Sequence, residues 1–218
     1  MIKHHPTPEL LLDYASGSMS EGPALAVAGH AWHCARCRRS VADLDAIGGM
    51  LLEDVAPAEV DARVFDAVMS RIGSDVAAEP SWTRSLDAET MRVIPEPLWR
   101  LLPGRLADIA WRRVGRLFEE VRLPLAKKGV NASLMRFKAG SLMPKHSHRG
   151  HEYTLVLAGG FTDGAATYGP GDFTSHDLTV MHQPRVDDDE DCLCLVVLDA
   201  PIKLTGFVGR LVNPFLRI

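Results

Sequence analysis

Two groups of residues in this 218-residue chain have the composition of metal sites. The first is His30-Ala31-Trp32-His33-Cys34-Ala35-Arg36-Cys37, a histidine four residues ahead of a Cys-x-x-Cys. Imidazole nitrogen and thiolate sulfur are preferred ligands of tetrahedral zinc. Positions i and i+4 share one face of a helix. A helix end followed by a tight turn can therefore present His30, Cys34 and Cys37 to one ion, while His33 projects off that face. A fourth ligand comes from elsewhere: His5, with His4 beside it, precedes the first helix and can fold back. Taken alone, Cys-x-x-Cys also fits a redox pair or two buried structural cysteines. Arg36, Arg38 and Arg39 favour thiolate over thiol.

The second group is Gly140-Ser-Leu-Met-Pro-Lys-His146-Ser-His148-Arg-Gly-His-Glu152. Alternate residues His146 and His148 leave a strand on the same side, and Glu152 follows on the next extended segment. Two imidazoles and a carboxylate suit a first-row divalent metal. His151 lies between them and is expected to face outward. Cys192 and Cys194, in Cys-Leu-Cys-Leu-Val-Val-Leu, share one face of a strand. They read either as two small apolar residues in a sheet or as a thiol pair near the metal that can be oxidised.

The elements around these groups change character along the chain. Residues 8–18, 22–33 and 35–53 read as helices, and Pro57 starts a fourth, with Gly73 as its stop signal. In that fourth helix Val60, Val64, Phe65, Val68, Met69 and Ile72 recur at helical intervals on one stripe. Residues 76–97, broken by Pro80, Pro95 and Pro97, read as a linker. Beyond it, short strand-like runs alternate with Gly and Pro turns, as in a β-sandwich or barrel. The expected organisation is multidomain, α then β: a small four-helix zinc-binding domain (1–75), the linker (76–97) and a β domain (98–218).

Formal net charge is −4, so the chain lacks the signature of a nucleic-acid-binding protein. Residues 1–75 hold 6 Lys/Arg against 11 Asp/Glu. Such an acidic half suits a basic partner surface, or is an ordinary solvated surface. No apolar run approaches the roughly 18 residues of a membrane helix, and the N-terminus lacks the apolar centre of a signal peptide. A cytoplasmic protein is expected, in which close cysteine pairs suggest metal or redox chemistry.

An N-terminal histidine, then His-x-x-x-Cys-x-x-Cys, on a four-helix domain resembles the zinc-binding anti-sigma factors, which keep extracytoplasmic-function sigma factors from RNA polymerase. The resemblance implies zinc on His5, His30, Cys34 and Cys37. It also implies a one-to-one sigma partner packed against the fourth helix, through Phe65, Met69 and Ile72. Alternatively, that stripe closes the helical domain's own core. Gly140, His146, His148, Glu152 and Gly159 match the first cupin motif, Gly-x5-His-x-His-x3-Glu-x6-Gly. The second cupin motif is poorer: Gly169-Pro170-Gly171-Asp172 resembles its turn, but the usual histidine after it is absent. His176 and His182 are the candidates. His182 is preferred, because it ends the apolar stretch Leu178–Met181 and precedes Gln183-Pro184. The cupin ion is expected to be zinc, although a His3Glu set accepts several ions.

Both halves together are similar to the ChrR type of anti-sigma factor. That resemblance implies a regulator with no catalytic residues, whose helical domain holds the sigma factor and whose cupin responds to oxidative stress, notably singlet oxygen. The rival reading is a metal-dependent cupin enzyme, a dioxygenase or isomerase, with a zinc-binding regulatory domain.

Overall fold

The computed structural model describes residues 1–72, 86–126 and 129–204. Helix α1 (Pro8–Ala15) opens where the Thr7 hydroxyl accepts the N–H of Leu10, with Pro8 in the first turn, where its missing donor costs nothing. Helices α2 (Glu21–His33) and α3 (Ala35–Glu53) are separated by Cys34 alone, whose extended backbone interrupts them. The Arg38 guanidinium turns back and donates to the carbonyls of Ala31 and Trp32 at 2.7 and 2.9 Å. This satisfies acceptors that the end of α2 leaves open. Helix α4 (Ala62–Ile72) begins later than Pro57, where the Asp61 carboxylate accepts the N–H of Arg63. Gly73, the expected stop, lies outside the described residues.

The expected linker contains structure. Its residues 76–85 lie outside the described residues, but Asp87 caps helix α5 (Ala88–Val93) by accepting the Thr90 N–H at 2.9 Å. A 3-10 segment, Glu96–Leu101, follows. Ile94 and Leu98 are fully buried. Pro95 precedes that segment and Pro97 lies in its first turn; these two prolines do not mark a free tether.

Among the described residues twelve strands follow: β1 (Arg112–Val114), β2 (Phe118–Arg122), β3 (Asn131–Phe137), β4 (His146–His148), β5 (Glu152–Ala158), β6 (Phe161–Asp163), β7 (Ala166–Tyr168), β8 (Phe173–His176), β9 (Met181–His182), β10 (Arg185–Val186), β11 (Cys192–Leu198) and β12 (Ile202–Leu204). One six-stranded sheet has the order β1-β2-β3-β11-β5-β8, and two three-stranded sheets have the orders β10-β6-β7 and β12-β4-β9. All their pairings are antiparallel.

Strand β11 explains how the two halves meet. All seven of its residues are buried. Cys192, Cys194, Val196 and Leu198 face the barrel interior, while Leu193, Leu195 and Val197 join a second core with Ala26 and Val27 of α2 and with Ile94 and Leu98. Burial on both faces makes the strand a continuous apolar run rather than an alternating one. Helix α2 lies close against the sheet because Gly29 has no side chain: a Cβ there would stand 2.8 Å from Leu155. The helical region and the β region therefore share a core.

The rest of the helical region is unlike α2. Of α3, only Cys37 is buried, and α4 buries nothing. Ile47, Met50, Leu51 and Leu52 of α3 stand exposed, as do Val64, Phe65, Val68, Met69 and Ile72 of α4. Among the described residues, the α4 stripe closes no core.

Candidate metal centres

The N-terminal cluster forms where the leading segment, the end of α2 and the start of α3 converge. His5 Nδ1 lies 3.3 Å from His30 Nε2, 3.4 Å from Cys34 Sγ and 3.5 Å from Cys37 Sγ. His30 Nε2 lies 3.2 Å from Cys37 Sγ. Ligands bound to zinc at its usual lengths in a tetrahedron stand roughly 3.3–3.8 Å apart. The four donor atoms, all within 4.8 Å of one another, fit one such ion. His4 points elsewhere: its Nε2 lies 3.0 Å from the Thr167 carbonyl and its ring packs on Tyr168.

Burial keeps the His30 imidazole neutral but works against the Cys37 thiolate. Burial lowers His30 to about 4, so its imidazole is neutral. His30 Nδ1 stands 2.8 Å from the Gly171 carbonyl. Donation there assigns the proton to Nδ1 and leaves Nε2 with a lone pair for an ion. Burial, then the neighbouring Cys34, pushes Cys37 up to about 12, and the opposing pull of Arg36 is weaker. The nearby arginines thus fail to make this thiol acidic; Arg38 is occupied in capping α2. Deprotonation comes with the metal, whose binding to thiolate releases protons.

The second cluster is assembled by strand register. Pairing of β4 with β9 sets His146 opposite His182, and pairing of β5 with β8 sets Glu152 opposite His176. His148, Glu152, His176 and His182 bring one donor atom each within 4.8 Å of one another. His148 Nε2 and His182 Nε2 are 3.0 Å apart, and His148 Nδ1 is 3.7 Å from a Glu152 oxygen. The buried Nδ1 atoms of His148 and His176 have no hydrogen-bond partner. Facing imidazole nitrogens and orphaned ring nitrogens fit a cation between them. Both candidate histidines, His176 and His182, enter this group. His146 stands beside it: its ring lies 4.3 Å from that of His182, and its Nδ1 is held 2.7 Å from the Pro144 carbonyl.

Burial, reinforced by the surrounding histidines, lowers His148 and His182 to about 4, and burial raises Glu152 to about 7. Asp163 accepts from His182 Nδ1 at 2.6 Å, which turns Nε2 toward the cluster. No spacing in the sequence singles out Asp163, which lies at the end of the short β6 before a turn. Only the fold brings it 19 residues back onto His182.

The cluster opens onto an apolar cavity of about 80 Å³ inside the barrel, lined by Phe118, Met135, Phe137 and Ile202. Cys192 and Cys194 line it too, as free thiols with their sulfurs 3.5 Å apart. The neighbouring Cys192, and then burial, hold the Cys194 thiol well above its ordinary pKa. His151 is half-exposed on the outside, beside Asp199.

The two centres are joined by the turn before β8. The Asp172 carboxylate accepts the N–H groups of Lys3 and His4 at 2.6 and 2.9 Å, and that of Gly169 at 2.9 Å. Burial would raise this carboxyl, but the three backbone donors outweigh it and hold it below its ordinary value. Gly171 has a φ of +88°, and a Cβ there would stand 2.7 Å from Ile2. The turn thus needs glycine both for its backbone and for its close approach to the N-terminal segment.

Comparison with known proteins covers the whole chain. Residues 104–201 match the family model of the ChrR cupin-like domain. The chain is 36% identical over 217 residues to the anti-sigma-E factor ChrR of Cereibacter sphaeroides, covering 100% of this chain and 99% of that one. It is also similar to a chain in the crystal structure of Rhodobacter sphaeroides SigE in complex with the anti-sigma ChrR. That match has a TM-score of 0.77 at 33% identity and spans 91% of this chain and 100% of the other.

Proposed function

The chain belongs to the ChrR family of anti-sigma factors, and from that premise we propose that it holds an extracytoplasmic-function sigma factor on the exposed apolar face of α3 and α4 and releases it when its cupin barrel meets an oxidative signal. The role is regulatory; the cupin motif serves a switch rather than turnover.

The observation that carries the reading is the unpartnered face. Phe65, Met69 and Ile72 are 69%, 52% and 68% exposed on a helix that buries nothing in its own chain. A stripe of exposed apolar side chains at helical spacing is the kind of surface that marks an interaction site. The acidic balance of residues 1–75 suits a partner whose own surface is basic for DNA. No helix among the described residues is long and apolar enough to cross a membrane, and the proposed setting is the cytoplasm.

His5, His30, Cys34 and Cys37 would hold zinc, which as a closed four-ligand site supplies structure rather than catalysis. Those residues tie the leading segment to the Cys34 break, and so fix the direction in which α3 carries its apolar half. His148, Glu152, His176 and His182, with His146 beside them, would hold the cupin ion. The expected inducer is singlet oxygen or a related oxidant, acting on the histidine cluster or on Cys192 and Cys194. Any such signal must change the relative free energies of the bound and free states.

Co-expression with candidate sigma factors tests the reading. The expected outcome is a stable one-to-one complex that inhibits transcription and is lost on Phe65→Glu. A chain that co-purifies with no sigma factor, or a Phe65→Glu variant that inhibits fully, contradicts it.

A further inference from the structure

One β-ladder connects the two metal centres. Strands β5 and β8 carry Glu152 and His176, paired opposite each other, at one end. At the other end the ladder continues past β8: Gly171 N–H donates to the Val156 carbonyl at 2.8 Å, and Val156 N–H donates to the Asp172 carbonyl at 3.0 Å. Asp172 and His176 are thus four residues apart on an extended segment, about 13 Å.

The far end of the ladder grips the N-terminal site at several points. The Gly171 carbonyl faces His30 Nδ1, and the Asp172 carboxylate holds the N–H groups of Lys3 and His4, just ahead of His5. The Phe173 N–H donates to the His4 carbonyl at 3.1 Å, and the Phe173 ring packs edge-on against His30. Both histidines proposed as zinc ligands are therefore oriented by a turn belonging to the cupin. Helix α2 closes the unit from above, with Gly29 against Leu155 of β5.

We propose that the cupin turn Gly169–Asp172 is the outer support of the N-terminal zinc site, with Asp172 as its positioning residue, so that the state of the histidine cluster in the barrel sets how firmly the helical region holds its metal. The physical basis is orientation. Partners that fix a ligand's tautomer and direction raise its affinity for metal. A ladder fixed at both ends has little freedom to move at one end alone. A common ion on Glu152 and His176 would anchor that end of β8, and without it the contacts of Gly171 and Asp172 at the other end would be held less firmly. Because linkage is reciprocal, occupancy of the N-terminal site also tightens the barrel cluster. The inference rests on the regulatory reading for its purpose, since it supplies the route from cupin to helices, but its chemistry is testable without a sigma factor.

Cobalt(II) provides the probe. Bound to two thiolates it shows a sulfur-to-metal charge-transfer band that a histidine–carboxylate site lacks, so loss of that band on adding EDTA reports the N-terminal site in the full-length, doubly loaded protein. Asp172→Asn keeps the side-chain volume but sets an amide N–H against the Gly169 N–H; Asp172→Ala removes every acceptor. Expected release is several-fold faster for Asp172→Asn and at least tenfold faster for Asp172→Ala. The ligand-field band should also shift, which a general loss of stability does not produce. His176→Ala should speed release in the parent but add little in the Asp172→Asn background, because both act through one ladder. Release at the parent rate from either Asp172 variant overturns the proposal, as do His176 and Asp172 effects that multiply independently. Sigma binding by the parent protein is assayed separately: its failure sinks the functional reading and leaves the linkage result standing.

Discussion

The two metal centres differ in where their ligands come from and in what surrounds them. The N-terminal centre takes three donors from eight consecutive residues, and its sulfurs and nitrogens stand at distances that close around one ion. The barrel centre takes its donors from four strands, retains orphaned ring nitrogens, and opens onto an apolar cavity lined by two thiols. A site whose four donors already stand at the spacing of one tetrahedral ion suits a clamp. A site beside a cavity, with more histidines than one ion needs, suits a sensor that small molecules reach. On the proposed reading the first centre supplies rigidity and the second responsiveness.

That division breaks most visibly at the clamp. Cys34→Ser with Cys37→Ser should remove one metal equivalent and abolish sigma inhibition without any oxidant, while the barrel keeps its own ion. Metal analysis beside a transcription assay checks this, and retained inhibition contradicts the clamp role. His148→Ala with His182→Ala should act at the other centre: the barrel ion is lost, the N-terminal zinc exchanges several-fold faster but stays bound, sigma affinity therefore stays within a few-fold, and oxidant no longer releases the partner. Asp163→Ala should act more mildly, lowering barrel metal affinity about 10- to 100-fold, because His182 loses the carboxylate that orients it. Titration with a competing chelator reads that change, and an unchanged affinity would deny Asp163 its positioning role.

The smallest effect is one of pH on the metal-free chain. His30, His148 and His182 have folded values of about 4 against an ordinary 6.5. The unfolded chain therefore takes up protons that the folded chain refuses, and stability falls as pH drops from about 6.5 to about 4. Glu152, raised to about 7, works in the opposite sense: its contribution is present at low pH and is lost as pH rises. Three groups outweigh one, so Tm should be lower at about pH 5 than at about pH 7. A rise in Tm on acidification would show that these imidazoles do not stay neutral in the fold.

The sequence was informative wherever a short spacing carries chemistry. His30, Cys34 and Cys37 lie within eight residues across the break between α2 and α3, and His148 and Glu152 within five, so local spacing predicts that they converge; His146, from the same motif, stands beside the cluster instead. The choice of His5 over His4 was open because adjacent residues differ only in direction. That direction is set by Asp172 and Thr167, more than 160 residues away. His176 and His182 looked like alternatives because the register of β5 with β8 and of β4 with β9 is invisible in either segment alone. The linker was misread over residues 86–97 for a similar reason: Ile94 and Leu98 are buried against a sheet formed much later in the chain. The α4 stripe was legible as amphipathic, but whether it closed a core or faced outward depended on which other helix occupied the sheet. Helix α2 does so, with Gly29 allowing the approach.

The central claim is that the exposed α3–α4 face holds the partner while the barrel governs release. The most direct test is sigma affinity measured by calorimetry for the parent, for Phe65→Glu with Met69→Glu, and for His148→Ala with His182→Ala, before and after oxidant. All three should be folded and carry an intact N-terminal zinc site. The account predicts at least hundredfold weaker binding for the first variant, and parent-like binding that ignores oxidant for the second. Parent-like affinity in the α4 variant, or oxidant-driven release in the barrel variant, would contradict it.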